Sequence, residues 1–334
     1  MKQIIIDGSF SGQRLDRVLK KYLVNATDGF IYKMLRKKNI KLNDSGAKGK
    51  EILNQGDIIS IYFSDETLDK FTGRSASPDE TKKQPIPPLK KDEIIYEDDD
   101  ILIMDKPVGE LSQKADKKDI SINERMLSYL GKNDAQEDDI SFKPGIANRL
   151  DRNTSGIVLA GKTLQGARLL SEFIRHRTIK KYYLALLDGK PDLKKDKPVT
   201  VEAYIIKDKK TNIVSVFDEK TDGAVPIKMK YRPADETMKK TYKNYCKNND
   251  INDELSGDKT LVEVELITGK THQIRAYFSY ISHPLSGDAK YGSGSVKDYK
   301  NKSFYFLRAY KIVMPDDERL SETIRGKTIY ADRN

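Results

Sequence analysis

The chain has 334 residues, 37% hydrophobic and 34% charged, which is enough for roughly two ordinary domains. No apolar run approaches the roughly 18 residues of a membrane span, and the opening MKQIIIDGSF breaks its apolar stretch at Asp7, unlike a secretory signal. A single cysteine, Cys246, excludes an internal disulfide and a multi-cysteine metal site; the net charge of +10 favours polyanionic partners, although Lys-rich proteomes also yield basic proteins without functional reason.

In chain order, Leu15, Val18, Leu19, Tyr22 and Leu23 recur at helical spacing and leave Arg14, Arg17, Lys20 and Lys21 outside. Phe30, Ile31, Met34 and Leu35 predict a second helix whose other side carries Lys33, Arg36, Lys37 and Lys38. The segment Ile40–Asn43 alternates like a short strand, and NQGDIISIYF adds a Gly-Asp turn and another strand. A charged helix face is ordinarily solvated surface, but two basic helices and a basic strand on adjacent faces point to phosphate contact. The segments GQRLDRVLKKYL, IYKMLRKKNIKLN and ILNQGDII resemble the ribosomal-protein-S-four-type RNA-binding module. The resemblance implies that residues 1–65 bind structured RNA, with Arg14, Arg17, Arg36, Lys37 and Lys38 as contacts.

From Thr67 to Asp92 the chain loses periodic apolar pattern, and Pro85, Pro87 and Pro88 cluster; residues 66–92 read as a linker, extended at the prolines. A larger unit, 93–325, follows. Its acidic run Glu97–Asp100 lacks a His or a second carboxylate cluster, so it reads as a turn rather than a metal site. Strands are expected at Ile101–Met104, Ile157–Ala160, Tyr182–Leu187, Val199–Ile206, Ile213–Phe217, Ile227–Tyr231, Leu261–Leu266 and Phe304–Ile312. Many alternate apolar with polar residues, as half-covered antiparallel strands do. Helices are expected at Thr163–His176 and Thr271–Ile281, the second capped by Thr271. The polar stretch 233–259 reads as an insertion of surface loop and helix, with Cys246 an incidental thiol within it. The fold class is α+β: a small unit of two helices and a sheet, tethered to a mixed, largely antiparallel domain.

Three segments could carry chemistry: NRLDRNTSG (148–156), KYYLALLDG (181–189), and TGKTHQIR with the later HPLSGDAKYG (268–275 and 283–292). Taken singly each has a plain structural reading: Asp151 in a surface ion pair, His272 as a cap or hydrogen-bond partner, Tyr183 as a strand aromatic. YGSGS lacks the strand context and Lys of a phosphate loop. Together and in this order they resemble the RluA family of pseudouridine synthases, whose pattern is H-R-L-D-x-x-T-S-G, K-x-Y-x-A-L-V-x-G, T-G-R-T-H-Q-I-R and H-P-x-x-G-D-x-x-Y-G. Asn148 stands where the pattern has His, and Lys270 where it has Arg; neither touches the carboxylate.

The resemblance implies isomerisation of uridine to pseudouridine in RNA, ribosomal RNA before transfer RNA, without cofactor or metal. It assigns the essential carboxylate to Asp151, acting as nucleophile or base. Arg275 becomes its basic partner, since a nearby cation favours the ionised form of a desolvated carboxylate. Tyr183 becomes the aromatic stacked on uracil, and Arg149 the residue that fills the space left by a flipped base. A monomeric, cytoplasmic enzyme is the accompanying expectation. The rival readings are a non-catalytic RNA-binding protein and a glycosidic hydrolase; the latter needs a second acid that the motifs lack.

Overall fold

The computed structural model describes residues 1–6, 8, 10–72, 85–116, 119–131, 142–194, 197–249, 251, 255, 257–292, 296–297 and 303–332. The middle of the expected linker (73–84), the end of YGSGS (293–295) and residues 250, 252–254 and 256 lie outside these. The chain divides into two compact units, Met1–Pro88 with Glu124–Pro144, and Leu89–Asn123 with Gly145–Asn334.

The first unit contains β1 (Lys2–Ile5), α1 (Leu15–Tyr22), α2 (Asp28–Arg36), β2 (Ile40–Leu42), β3 (Ser45–Gly46), β4 (Ile58–Ile61) and α3 (Asp65–Thr72). Its antiparallel sheet has the order β1-β4-β2-β3. Leu15, Val18, Leu19 and Tyr22 bury one stripe of α1 against Ile31, Met34 and Leu35 of α2. Thr27 caps α2 by accepting from Phe30 N. The helix α3 departs from the linker reading: Leu68 is buried and Phe71 stacks on Phe30 at 4.0 Å, so residues 65–72 complete the small core. Leu68 and Phe71, three residues apart as on one helix face, carried the signal. The following prolines are also held, because Arg125 and Ser128 of α4 (Ile122–Tyr129) donate to the carbonyls of Pro88 and Ile86.

The second unit is built on one large sheet. Its strands are β5 (Ile94–Glu97), β6 (Ile101–Lys106), β7 (Gly145–Ile146), β8 (Ser155–Gly161), β9 (Lys180–Asp188), β10 (Val199–Lys207), β11 (Val214–Phe217), β12 (Val225–Pro233) and β13 (Lys259–Leu266). A two-stranded β14 (Val296–Lys297) and β15 (Ser303–Phe304) stand apart, while β16 (Leu307–Val313) and β17 (Thr328–Tyr330) rejoin the sheet. The order is β11-β10-β12-β13-β9-β16-β8-β6-β5, with β17 on β16 and β7 on β8. Every pairing is antiparallel except β16 with β8, as the alternating pattern led one to expect. The unit runs past residue 325: β17 pairs with β16, and Asp332 accepts from the buried Arg308 at 2.8 Å.

Helices α5 (Leu164–His176), α6 (Glu236–Asn248) and α7 (Gln273–Tyr280) complete it. Thr163 caps α5, and Gly166 lets its first turn touch Asp100 O, where a Cβ would collide. The acidic run is a turn: Asp98 accepts from Asp100 N and Ile101 N, and Glu97 pairs with Lys162. The surface reading of 233–259 is wrong for α6. Met238, Tyr242, Tyr245 and Cys246 are buried against Leu184, Leu186 and Phe306, with Tyr242 edge-on to Phe306 at 4.6 Å. Three large side chains and Cys246, spaced i, i+4, i+7, i+8, hid among lysines, and Cys246 is core rather than incidental.

Candidate active site

Residues 147–154 join β7 to β8, and side chains fasten the loop along its length. Asn148 lies against β8 as a strand would: its amide oxygen accepts from Leu159 N at 2.7 Å and its nitrogen donates to Ile157 O at 3.3 Å. Ser112 Oγ donates to Leu150 O at 2.8 Å and accepts from Leu150 N at 2.9 Å. The buried Lys106 ammonium donates to the carbonyls of Pro107, Glu110 and Arg152 at 2.9, 2.8 and 3.1 Å. Burial pushes its pKa down to about 8. Gly156, with φ +109°, lets β8 run against β16, since a Cβ there would enter the carbonyl of Ala309.

On this loop Asp151 keeps 33% of its side chain exposed. Arg275, third residue of α7, donates from Nη1 to Asp151 Oδ2 at 3.1 Å. Its Nε and Nη2 form a fork on Asp288, at 2.7 and 2.9 Å. Asp288 is 1% exposed and also accepts from the N–H of Lys290 and Tyr291. The guanidinium lies over the rings of Tyr305 and Tyr291, at 4.4 and 5.1 Å. Burial works to lower the Arg275 pKa, but the Asp288 hydrogen bonds and the neighbouring Tyr305 and carboxylates carry it above the ordinary value. One fixed cation thus serves two carboxylates, one buried and one facing the cleft.

His272, rather than Thr271, occupies the cap position of α7, with φ 52° and no side-chain cap bond. Gln273 turns back instead, its Oε1 accepting from Lys270 N and Thr268 Oγ1. His272 Nδ1 lies 2.9 Å from Tyr291 OH, and Nε2 lies 3.8 Å from Asp151 Oδ2. Burial, against the pull of Asp151, lowers its pKa, which favours the neutral ring. Tyr183 sits on the central strand β9, opposite Val264 and Ala309. It is 6% exposed, and burial, then the Asp151 charge, push its hydroxyl pKa up.

A cleft of about 950 Å³ opens over these groups and lies wholly within the second unit. Among its lining residues Asp151 is the one carboxylate, facing eight Lys and Arg side chains. Such a wall attracts a polyanion. Arg149 is exposed and lines the cleft beside Asp151, while Arg152 gives its carbonyl to Lys106.

The structure therefore brings Asp151, Tyr183, Arg275 and Arg149 together, on three elements far apart in sequence. In the first unit Arg17, Arg36, Lys37 and Lys38 are exposed. Arg14 is not a free cation: its Nε and Nη2 are held by Asp16 at 3.1 and 2.5 Å, and Tyr32 OH also donates to Asp16. Sequence reasoning passed over Asp288, Tyr291, Tyr305 and Lys106. The first two stand in HPLSGDAKYG and Lys106 in MDKPVG, motifs whose order along the chain carries no trace of their contacts. Tyr305 carried no signal beyond its place near a strand.

The sequence pattern of the family described as RNA pseudouridylate synthase matches residues 100–280, just over half of the chain and the whole span from β6 to α7. A ribosomal large subunit pseudouridine synthase C of Rickettsia bellii is 31% identical over 98% of this chain and 95% of its own length. An uncharacterized RNA pseudouridine synthase of Mycoplasma pneumoniae is 28% identical over 90% of this chain and 83% of its own. Among solved structures, human RNA pseudouridylate synthase domain containing 1 superposes with a TM-score of 0.50 at 19% identity, covering 76% of this chain and 86% of that one. The matched span, the near full-length relative and the shared fold agree: this chain belongs to the RNA pseudouridylate synthase family and is an RNA pseudouridine synthase.

Proposed function

We propose that this enzyme converts specific uridines of large-subunit ribosomal RNA to pseudouridine, with Asp151 as the essential carboxylate. The observation that carries the reading is the lone carboxylate of a cationic cleft, held on Arg275 at 3.1 Å. Support for the RNA comes from relatives in Rickettsia bellii and Vibrio cholerae that bear the name of a ribosomal large subunit pseudouridine synthase. The reaction breaks the N1–C1′ bond of uridine, forms C5–C1′, and moves one proton from C5 to N1. Atoms and charge balance without any redox partner. Asp151 acts on the target nucleotide, Arg275 fixes its orientation, and the Tyr183 ring supports the base. Arg149 fills the gap left in the RNA stack, whose opening costs a few kcal/mol. The first unit grips structured RNA through Arg17, Arg36, Lys37 and Lys38, and the enzyme works as a cytoplasmic monomer.

The test is Asp151→Asn, which keeps shape but removes charge and nucleophilic oxygen. Tritium release from ribosomal RNA labelled at uracil C5 should vanish, while RNA affinity stays within about threefold because phosphate contacts dominate it. Continued release would overturn the role of Asp151. Wild-type release from transfer RNA alone would move the substrate to that class.

A further inference from the structure

The cations of the cleft are not equivalent. Arg275 is committed to two carboxylates and Lys290 donates to Thr211 O. Arg177, Lys181 and Lys270 come from three segments and, among the described residues, have no side-chain hydrogen bond or ion pair. Arg177 closes α5 in a left-handed conformation, φ 61°, which an L residue adopts at a cost. Lys181 lies in β9 two residues before Tyr183, so both side chains leave the same face, roughly 7 Å apart along the strand. Its ammonium is 3.7 Å from the Cβ position at Gly269, directly beside Lys270. Burial, then the Arg177 charge, push its pKa down.

Resting on the reading that RNA is the substrate, we propose that Arg177, Lys181 and Lys270 form a binding subsite for one backbone phosphate adjacent to the converted uridine. A phosphodiester oxygen there satisfies the half-buried ammonium and relieves its repulsion with Arg177. The spacing from Tyr183 sets the register of the strand, fixing which nucleotide enters over Asp151. The three residues are positioning residues; they touch the backbone and not the reacting base.

The probe is the shortest fragment of a large-subunit ribosomal RNA transcript that the wild type converts, with single neutral methylphosphonates placed at each linkage around the target. One linkage should cost the wild type about tenfold in single-turnover kcat/KM, mostly through KM. Lys181→Met should cost about as much on unmodified RNA and lose nothing further on that one fragment, so that the two losses fail to add. Lys181→Arg should recover most of the loss. Lys270→Met, at an exposed position, serves as the second variant, and thermal midpoints near wild type certify folding. Sensitivity to every linkage unchanged from wild type in both methionine variants would overturn the subsite. If wild type binds transcripts but converts none, the isomerase reading falls, while a binding salt slope lowered by about one in Lys181→Met keeps the subsite. A wild type that neither binds nor converts RNA overturns both.

Discussion

Replacing Arg275 by Met separates the two tasks of that cation. Asp288 is 1% exposed and would keep two backbone N–H donors but lose its guanidinium fork. Stranding one partner of a buried pair costs about 3–5 kcal/mol. Adding Asp288→Asn removes the stranded charge, and the amide oxygen can still accept from Lys290 and Tyr291, so the double variant should lose only about 1–2 kcal/mol. Catalysis should not follow stability. In both variants Asp151 loses a positive charge at 3.1 Å. Two unit charges about 4 Å apart at an effective dielectric near 20 interact by about 4 kcal/mol. Solvent reaches a third of Asp151, so roughly half of that survives screening. About 2 kcal/mol corresponds to a rate loss of roughly 30-fold. Urea unfolding measures the first quantity and single-turnover tritium release the second. Wild-type turnover in the double variant would confine Arg275 to folding. A double variant no more stable than Arg275→Met would show that Asp288 is not the stranded group.

Lys106 titrates from about 8 in the folded chain, below its unfolded value of 10.5, so the unfolded chain binds more protons between those limits. The stability difference between wild type and Lys106→Met should therefore shift in favour of wild type as pH rises through that window, by on the order of 1–3 kcal/mol, and urea midpoints at pH 7 and 10 would read it. Gly156→Ala should cost about 4 kcal/mol or more, because φ +109° and the Ala309 carbonyl both exclude a side chain; a thermal midpoint within a few degrees of wild type would refute the close approach of β8 and β16. Changing Arg36, Lys37 and Lys38 together to Gln should reduce the salt slope of RNA binding by about two, whereas Arg14→Gln should change it by less than one, its charge being already met by Asp16. Equal slopes for the two variants would remove α2 from the RNA contact.

The parts of the fold legible in the sequence were those written by local periodicity. The helix at α5 and the strands from β8 to β13 stood within two residues of their expected bounds because apolar alternation and capping residues are short-range signals. What escaped depended on partners far along the chain. The burial of α6 required knowing that Leu184 and Phe306 would meet it, and α3 required Phe30. The candidate site was legible as a set of motifs that name Asp151, Tyr183 and Arg275, which the structure brings to one cleft, but the sharing of Arg275 with Asp288 was not. A hydrogen bond between residues 13 apart across a loop has no periodic trace. Asn148 teaches the same lesson differently: it departs from the family pattern, yet it can extend the β8 ladder because an amide offers a donor and an acceptor side by side.

Tyr183 lies on β9, which is bordered by β13 on one side and β16 on the other, at the middle of the sheet. Interior strands of this kind open only with the whole domain, so the amide of Tyr183 should be among the slowest to exchange with deuterium. The loop bearing Asp151 is itself tethered to that sheet through Asn148 and Lys106, and to the segment after β6 through Ser112. A loop fastened at three points holds Asp151 in place before a nucleotide arrives. On the proposed reading the distortion needed for reaction falls on the RNA, so uridines in helices that yield easily should be converted fastest, which single-turnover rates on hairpins of graded stability would measure.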